Sequence, residues 1–230
     1  MLVSDQKKIL FLHIPKTGGS SVVKNKQISE SCSLKINGHT VLLGIKRFKD
    51  ININLNEYKK VCIIRDPIER FISAFFYLSE YHGSHADWER FNKYIKTKDI
   101  NKYINKILIE EEVILPDLSK QHFKFCKKLA PMVHFHPQAR WVVDGENKIN
   151  IDYICNTKNM SESIPKIFKI PHSQFFKENV NKNKPQVKIS EENILKLKKI
   201  YEVDYNFFGF DKERNFKEQS EYTSRRNNLN

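Results

Sequence analysis

The sequence contains no apolar stretch approaching the roughly 20 residues of a membrane-spanning helix. The run from Leu10 to Ile14 is too short for the apolar core of an export signal and leads to no cleavage site. Neither a membrane span nor a leader is therefore expected, and the expected location is the cytoplasm, with a peripheral position at a membrane surface left open. Cysteine is sparse. Cys32, Cys62, Cys126 and Cys155 lie far apart without a Cys-x-x-Cys pair, and Cys62 and Cys155 sit in apolar runs, which argues for reduced, structural thiols. His122, Cys126, His134 and His136 invite a zinc reading, but their intervals match no usual zinc pattern, so no metal is expected. No internal repeat is visible. Acidic residues are outnumbered: 40 Lys and Arg face 27 Asp and Glu, for a formal charge of +13. That balance calls for an anionic partner, whether nucleic acid, a membrane surface, or an acidic substrate and cofactor. The lysines are scattered along the chain, so charge alone does not choose among these.

What is present is enough for a core. A length of 230 residues with 40% hydrophobic and 12% aromatic content fits one globular domain, expected over residues 1–211, followed by a flexible polar tail at 212–230. The chain is organised around Lys8-Ile9-Leu10-Phe11-Leu12-His13-Ile14-Pro15-Lys16-Thr17-Gly18-Gly19-Ser20-Ser21. An apolar run stops at Pro15, two glycines and hydroxyl residues follow, and a periodic segment begins at Val22, which reads as strand, tight loop and helix start over Ser20 to Gln27. Glycines let backbone N–H groups turn inward, Lys16 adds a cation, Thr17, Ser20 and Ser21 add hydroxyls, and a helix N-terminus adds partial positive charge. A loop of this kind can hold a phosphate. It is not a Walker A loop, because its lysine precedes the glycines.

His-Ile-Pro-Lys-Thr-Gly-Gly-Ser-Ser closely resembles the 5′-phosphosulfate loop of the carbohydrate sulfotransferases related to heparan sulfate 2-O- and chondroitin sulfotransferases, in a microbial-type form. The resemblance implies a P-loop NTPase-like α/β fold, a three-layer sandwich with a central parallel sheet flanked by helices. It also implies 3′-phosphoadenosine 5′-phosphosulfate (PAPS) as donor, 3′-phosphoadenosine 5′-phosphate (PAP) as product, no metal, and a carbohydrate hydroxyl as acceptor. Animal members carry an N-terminal membrane anchor that is not seen in this sequence.

Tyr58 to Arg65 reads as a buried parallel strand that delivers Arg65 to the sheet edge, after which Asp66 as N-cap, Pro67 and Glu69 open a helix with Phe71, Phe75 and Leu78 on one face. Arg-Asp-Pro-Ile-Glu-Arg-Phe-Ile-Ser resembles the family's 3′-phosphate site, which implies that Arg65 and Ser73 close on that phosphate. Arg70 either joins them or pairs with a surface acid. Between the two motifs, Ser33 to Ile36 is expected as a strand ending at Asn37-Gly38-His39-Thr40. A histidine after a glycine turn at a strand end lies on the ligand-binding edge of such sheets, and it matches the family's Gly-His element, which makes His39 the candidate base. The family's fuller His-Gly-His is interrupted by Asn37.

Two helices are expected between Ser84 and Glu112, broken near Lys98-Asp99, with another from Pro116 to about Lys128. By resemblance this insert, about 84–128, shapes the acceptor side. Val133 to Val142 alternates polar and aromatic residues, as an edge strand would, while its His-Pro-Gln-x-x-Trp portion resembles a microbial family element and implies that His136, Gln138 and Arg140 face the acceptor. Ile149 to Asn156 is expected as a strand and Met160 to Phe168 as a helix. The intervening Thr157-Lys158-Asn159 carries lysine where the family usually has glutamate. Lys182 and Lys184 lie in a basic segment that resembles a loop closing over the nucleotide. Ser190 opens the last helix, and Asp204 to Phe210 is the family's usual closing phrase, its aromatics read as structural.

Two other classes remain at this stage. A kinase-like phosphate-binding protein would need an acidic magnesium ligand at a strand end, where Arg65 stands instead. A basic nucleic-acid-binding module is suggested by charge, but no recognised binding motif accompanies it.

Overall fold

The computed structural model describes residues 1–35, 54–80, 84–108, 129, 132–143, 150–176 and 187–210. Over these the chain is a mixed α/β protein with a five-stranded sheet flanked by helices, and it divides into two compact units. Among the described residues, the first is built from those within Met1–Arg65 and Trp141–Val180, and the second from those within Asp66–Arg140 and Asn181–Asp211. Among the described residues no helix is long and apolar enough to cross a membrane.

The first unit holds the sheet: β1 (Leu2–Ser4), β2 (Ile9–Leu12), β3 (Leu34–Lys35), β4 (Lys59–Ile64) and β5 (Tyr153–Asn156), in spatial order β3-β1-β2-β4-β5. β2, β4 and β5 pair in parallel, whereas β1 is antiparallel to both of its neighbours. The sheet is thus mostly parallel rather than wholly so. The exception, Leu-Val-Ser, is too short to show any periodicity, and it hydrogen-bonds as a hairpin partner of β2. Side chains alternate across the pleat. Ile9 and Phe11, Val61 and Ile63, and Cys155 join Val22 of α1 (Gly19–Val23), Ile28 of α2 (Lys26–Glu30) and Met160, Ile164 and Phe168 of α7 (Met160–Phe168) in one apolar cluster. The opposite-facing Leu10, Leu12, Cys62 and Ile64 are equally buried, as the continuous apolar run of a parallel strand requires. Cys62 and Cys155 are interior thiols. Burial pushes Cys155 up to about 12 and Cys62 well above its ordinary value. The helix expected over Ser20 to Gln27 is two short ones, because Asn25 accepts a hydrogen bond from Ile28 N at 3.0 Å and starts α2 afresh.

The second unit is an aromatic-cored helical cluster. Asp66 caps α3 (Pro67–Ser79) as the sequence predicts, accepting from Ile68 N and Glu69 N at 2.9 Å. Phe71, Phe75 and Leu78 are buried on one face of α3. Phe75 meets Tyr103 of α5 (Ile100–Ile107) edge-on, and Tyr103 stacks at 4.4 Å on Phe91 of α4 (His85–Asn92). The break between α4 and α5 falls where expected, since the Asp99 carboxylate accepts from Asn101 N and Lys102 N. α8 (Glu191–Ile200), opened by Ser190, is held to α5 by the buried Asn193, which donates to Asn101 Oδ1 at 3.0 Å. α9 (Glu202–Phe208) follows and ends at Gly209 with φ of 68°. The predicted helix from Pro116 to about Lys128 lies outside the described residues.

Val133 to Val142 is not an edge strand. It folds as a 3₁₀ turn (Val133–Phe135) followed by α6 (Ala139–Val142), because two buried charges take up its backbone. Arg70, wholly buried, donates through Nη1 to the His134 carbonyl at 3.0 Å and through Nη2 to the His136 carbonyl. Asp204, equally buried, accepts from the backbone N–H groups of Gln138 and Ala139 at 2.9 and 2.8 Å. Arg70 is therefore neither a surface ion-pair partner nor an exposed phosphate ligand. Burial raises the Asp204 pKa, and the nearby Arg70 and these donors oppose that rise.

Asp204→Ala would leave two buried donors unmatched and remove the counter-charge near Arg70. Loss of a buried charged partner costs about 3 kcal/mol. A urea unfolding curve should show a loss of that size, against a small change for Glu202→Ala on the exposed side of the same helix.

Candidate functional site

Because β2, β4 and β5 are parallel, their carboxyl ends share one edge of the sheet, the position where α/β sheets bind ligands. In register, Leu12 lies opposite Cys62, and Cys62 opposite Ile154. The chain leaves β2 into the His13–Gly18 loop, leaves β4 directly into Arg65, and leaves β5 into Thr157 and Lys158.

The loop is held from within and from behind. Ile14 and Thr17 are fully buried, and the Thr17 hydroxyl donates to the Ile14 carbonyl at 2.9 Å, closing the turn. Lys16 and Gly18 both have left-handed backbones, with φ of 66° and 81°. Such a conformation suits glycine but is uncommon for lysine, so the closed turn holds Lys16 against a local preference. A Cβ on Gly18 would come within 3.1 Å of Met160 Sδ. A Cβ on Gly19 would fall 2.2 Å from His13 Cδ2, inside the imidazole's own volume. The two glycines are thus demanded by separate neighbours. The sequence reading missed His13 and Met160 as the backing of the loop. The signal was available for His13, since Ile9, Phe11 and His13 alternate onto one face.

α1 begins at Gly19 and is only five residues long, with no side-chain cap. Its aligned peptides are few, so the positive field expected from a helix N-terminus is small here and side-chain cations dominate. Lys16 is half-buried in the loop. Burial first, and then the neighbouring Arg65 guanidinium, together lower its pKa from 10.5 to about 8. Two cations brought together in a partly desolvated place favour an anion between or beside them. A phosphate would offset both the desolvation and the mutual repulsion. Ser20 is half-buried and Ser21 almost wholly buried, so Ser20 is the more accessible hydroxyl.

The remaining predicted residues are placed as follows. Ser73 is half-buried on α3 in the second unit, eight positions beyond Arg65. Gln138 is fully buried with its backbone N–H and amide both directed to Asp204. His136 is 5% exposed, and its Nδ1 lies 2.7 Å from Arg140 Nη1. Arginine can only donate, so Nδ1 accepts and the ring's own proton sits on Nε2. Arg140 is half-buried. His39, Lys182 and Lys184 lie outside the described residues, as do His122 and Cys126 of the zinc reading. β3 runs in the same direction as β2, both being antiparallel to β1, so Lys35 at its carboxyl end lies on the side of the sheet that carries the loop.

The profile described as the sulfotransferase family matches residues 1–211. Human carbohydrate sulfotransferase 9 is 35% identical to the chain over 83 residues, covering 32% of this chain and 19% of that protein. No solved structure matches.

The collision at Gly19 can be tested without any ligand. Gly19→Ala should lower unfolding stability by about 1–3 kcal/mol, the usual range for overpacking. Adding His13→Ala should recover most of that loss, and a urea-melt double-mutant cycle reads the coupling directly.

Proposed function

The chain belongs to the sulfotransferase family, and from that premise we propose that it transfers a sulfuryl group from PAPS to a hydroxyl of a carbohydrate acceptor, either a polysaccharide or a glycolipid. The observation that carries the donor assignment is the approach of Lys16 to Arg65 at the ends of adjacent parallel strands, beside a loop whose glycines leave no room for side chains. These residues fit a donor that carries phosphate at both its 5′ and 3′ positions. The likeness to human carbohydrate sulfotransferase 9 supports a sugar acceptor, and a charge of +13 suits an anionic chain. The strand–loop–helix at β2 and α1 supports a P-loop-like, three-layer arrangement within a single catalytic domain over 1–211.

PAPS supplies an activated sulfuryl group on a phosphate leaving group. The backbone N–H groups of Gly18, Gly19 and Ser20 hold the 5′-phosphate, with Ser20 and Ser21 lining it. Thr17 contributes through its main chain, because its hydroxyl is taken by Ile14. Lys16 donates to the bridging oxygen as negative charge develops there, in a site where burial strengthens the interaction. Arg65 binds the 3′-phosphate through its guanidinium fork, with Ser73 assigned as a second donor on its spacing in the sequence. Lys182 and Lys184 are assigned to the same nucleotide. His39 takes the proton of the acceptor hydroxyl as that oxygen attacks sulfur in line. His136 and Arg140 are assigned to the acceptor side, and Gln138 to holding the turn that carries them. Lysine and arginine provide the positive charge, so the proposal involves no metal.

Calorimetric titration with PAP, AMP and ATP without magnesium tests this reading. PAP should bind far more tightly than the other two, and equal binding of all three would overturn the donor assignment. Arg65→Ala should weaken PAP on the order of 10- to 100-fold while leaving AMP little changed.

The depressed Lys16 pKa gives a second test. A bound 5′-phosphate raises that pKa, so binding should take up a proton at pH values above about 8. PAP affinity should accordingly be full below pH 8 and fall as pH rises toward the ordinary lysine value. Titrations near pH 9 in two buffers of different ionisation enthalpy would show the uptake, and Lys16→Met should abolish it.

A further inference from the structure

The β5–α7 turn places one more cation on the ligand edge. Thr157 N donates to the Ile64 carbonyl at 2.9 Å, immediately before Arg65. On the other side, Thr157 Cγ2 and Met160 Sδ lie 3.9 and 3.1 Å from where a Gly18 Cβ would be. The four-residue stretch Thr157–Met160 therefore lies against Ile64, the residue before Arg65, and against Gly18 of the loop, and Lys158 is inside it. The turn is also stiff. Asn159 Oδ1 accepts from Asn156 N, and Asn156 Oδ1 accepts from Lys158 N, each at 3.0 Å. The backbone of Lys158 is thereby fixed while its side chain is exposed.

Lys158 also differs from the lysines at the other end of these strands. Lys8 pairs with Glu57 at 3.2 Å, and Lys59 and Lys60 both lie 3.7 Å from Asp152. Among the described residues no carboxylate forms an ion pair with Lys158. Lys8, Lys59 and Lys60 at the amino ends of the strands are thus charge-compensated, whereas Lys158 at the carboxyl ends has no carboxylate partner among the described residues.

Resting on the donor reading above, we infer that Lys158 is a third cation of the 5′-phosphate subsite, reaching over Gly18 to the anionic oxygens at the phosphosulfate end of the donor. In PAP these oxygens are those of the 5′-phosphate. Arg65 serves the other end of the nucleotide, so Lys158 discriminates for the 5′-phosphate alone. The lysine side chain is long enough to span a residue-scale gap yet remains in water when the donor is absent, which keeps its contribution modest and salt-sensitive.

The test compares PAP with adenosine 3′-phosphate, which lacks the 5′-phosphate, on the whole protein at constant ionic strength. Lys158→Gln should weaken PAP by about 3- to 10-fold, the range for one partly solvated charge contact with phosphate. It should leave adenosine 3′-phosphate unchanged, and Lys158→Arg should bind PAP like the parent. Unfolding curves of the variants should superimpose on the parent's, since the side chain is exposed. Unchanged PAP affinity in Lys158→Gln, or equal loss for both nucleotides, would overturn the inference while leaving the donor reading intact. A parent protein that does not prefer PAP to AMP would instead remove the donor reading, and this inference with it.

Discussion

Parallel pairing of β2, β4 and β5 is the constraint from which the site follows. Parallel strands send every connection out at the same edge, so three segments far apart in sequence, at Lys16, Arg65 and Lys158, become neighbours through backbone hydrogen bonding. Nothing in the side chains would bring like charges together. The apolar interiors of β2 and β4 bring them there, and the free energy of burying Leu10, Phe11, Val61, Cys62 and Ile63 holds them against their repulsion. The edge is consequently a place of stored electrostatic potential, which the phosphate of the proposed donor would discharge.

How far this could be read from the residues depended on the range of the interactions involved. Elements governed by local chemistry were legible: the Asp66 cap and Pro67 of α3, the Asp99 start of α5, the Ser190 start of α8, and the apolar run of β4 all stand within a residue or two of expectation. The loop from His13 to Ser20 and the arrival of Arg65 beside it were likewise readable, because motif and strand end coincide. What escaped was set by contacts across the chain. β1 was invisible because three residues carry no period. Val133 to Val142 alternates as an edge strand would, but alternation is only one signal, and Arg70 and Asp204, 60 or more positions away, take that backbone's carbonyls and N–H groups instead.

That pair illustrates a division of labour between similar residues. Arg65 and Arg70 lie five positions apart in sequence, one before the Asp66 cap and the other within α3, and both belong to the stretch that resembles a phosphate site. Arg65, at the strand end, remains half-buried at the ligand edge, while Arg70 is sealed among the rings of the second unit, within 5.8 Å of the Tyr201 ring centre. A guanidinium has five donors in a planar fork, and in the interior carbonyls satisfy part of that demand as phosphate oxygens would elsewhere. Gln138 follows the same logic, with a polar side chain spent on Asp204. Chemical type therefore identifies a possible ligand, and accessibility decides whether it is spent on the fold.

The interior thiols of β4 and β5 have a use that their inertness creates. Cys62 is wholly shielded and Cys155 nearly so, and both are held in the unreactive protonated form, so an alkylating reagent can reach them only when the two strands separate. Their labelling rate under native conditions measures how often the parallel core opens, with no mutation or attached dye. Since the same strands carry the cations of the ligand edge, the rate at which these sulfurs are trapped becomes a clock for the integrity of the scaffold that holds those charges in place.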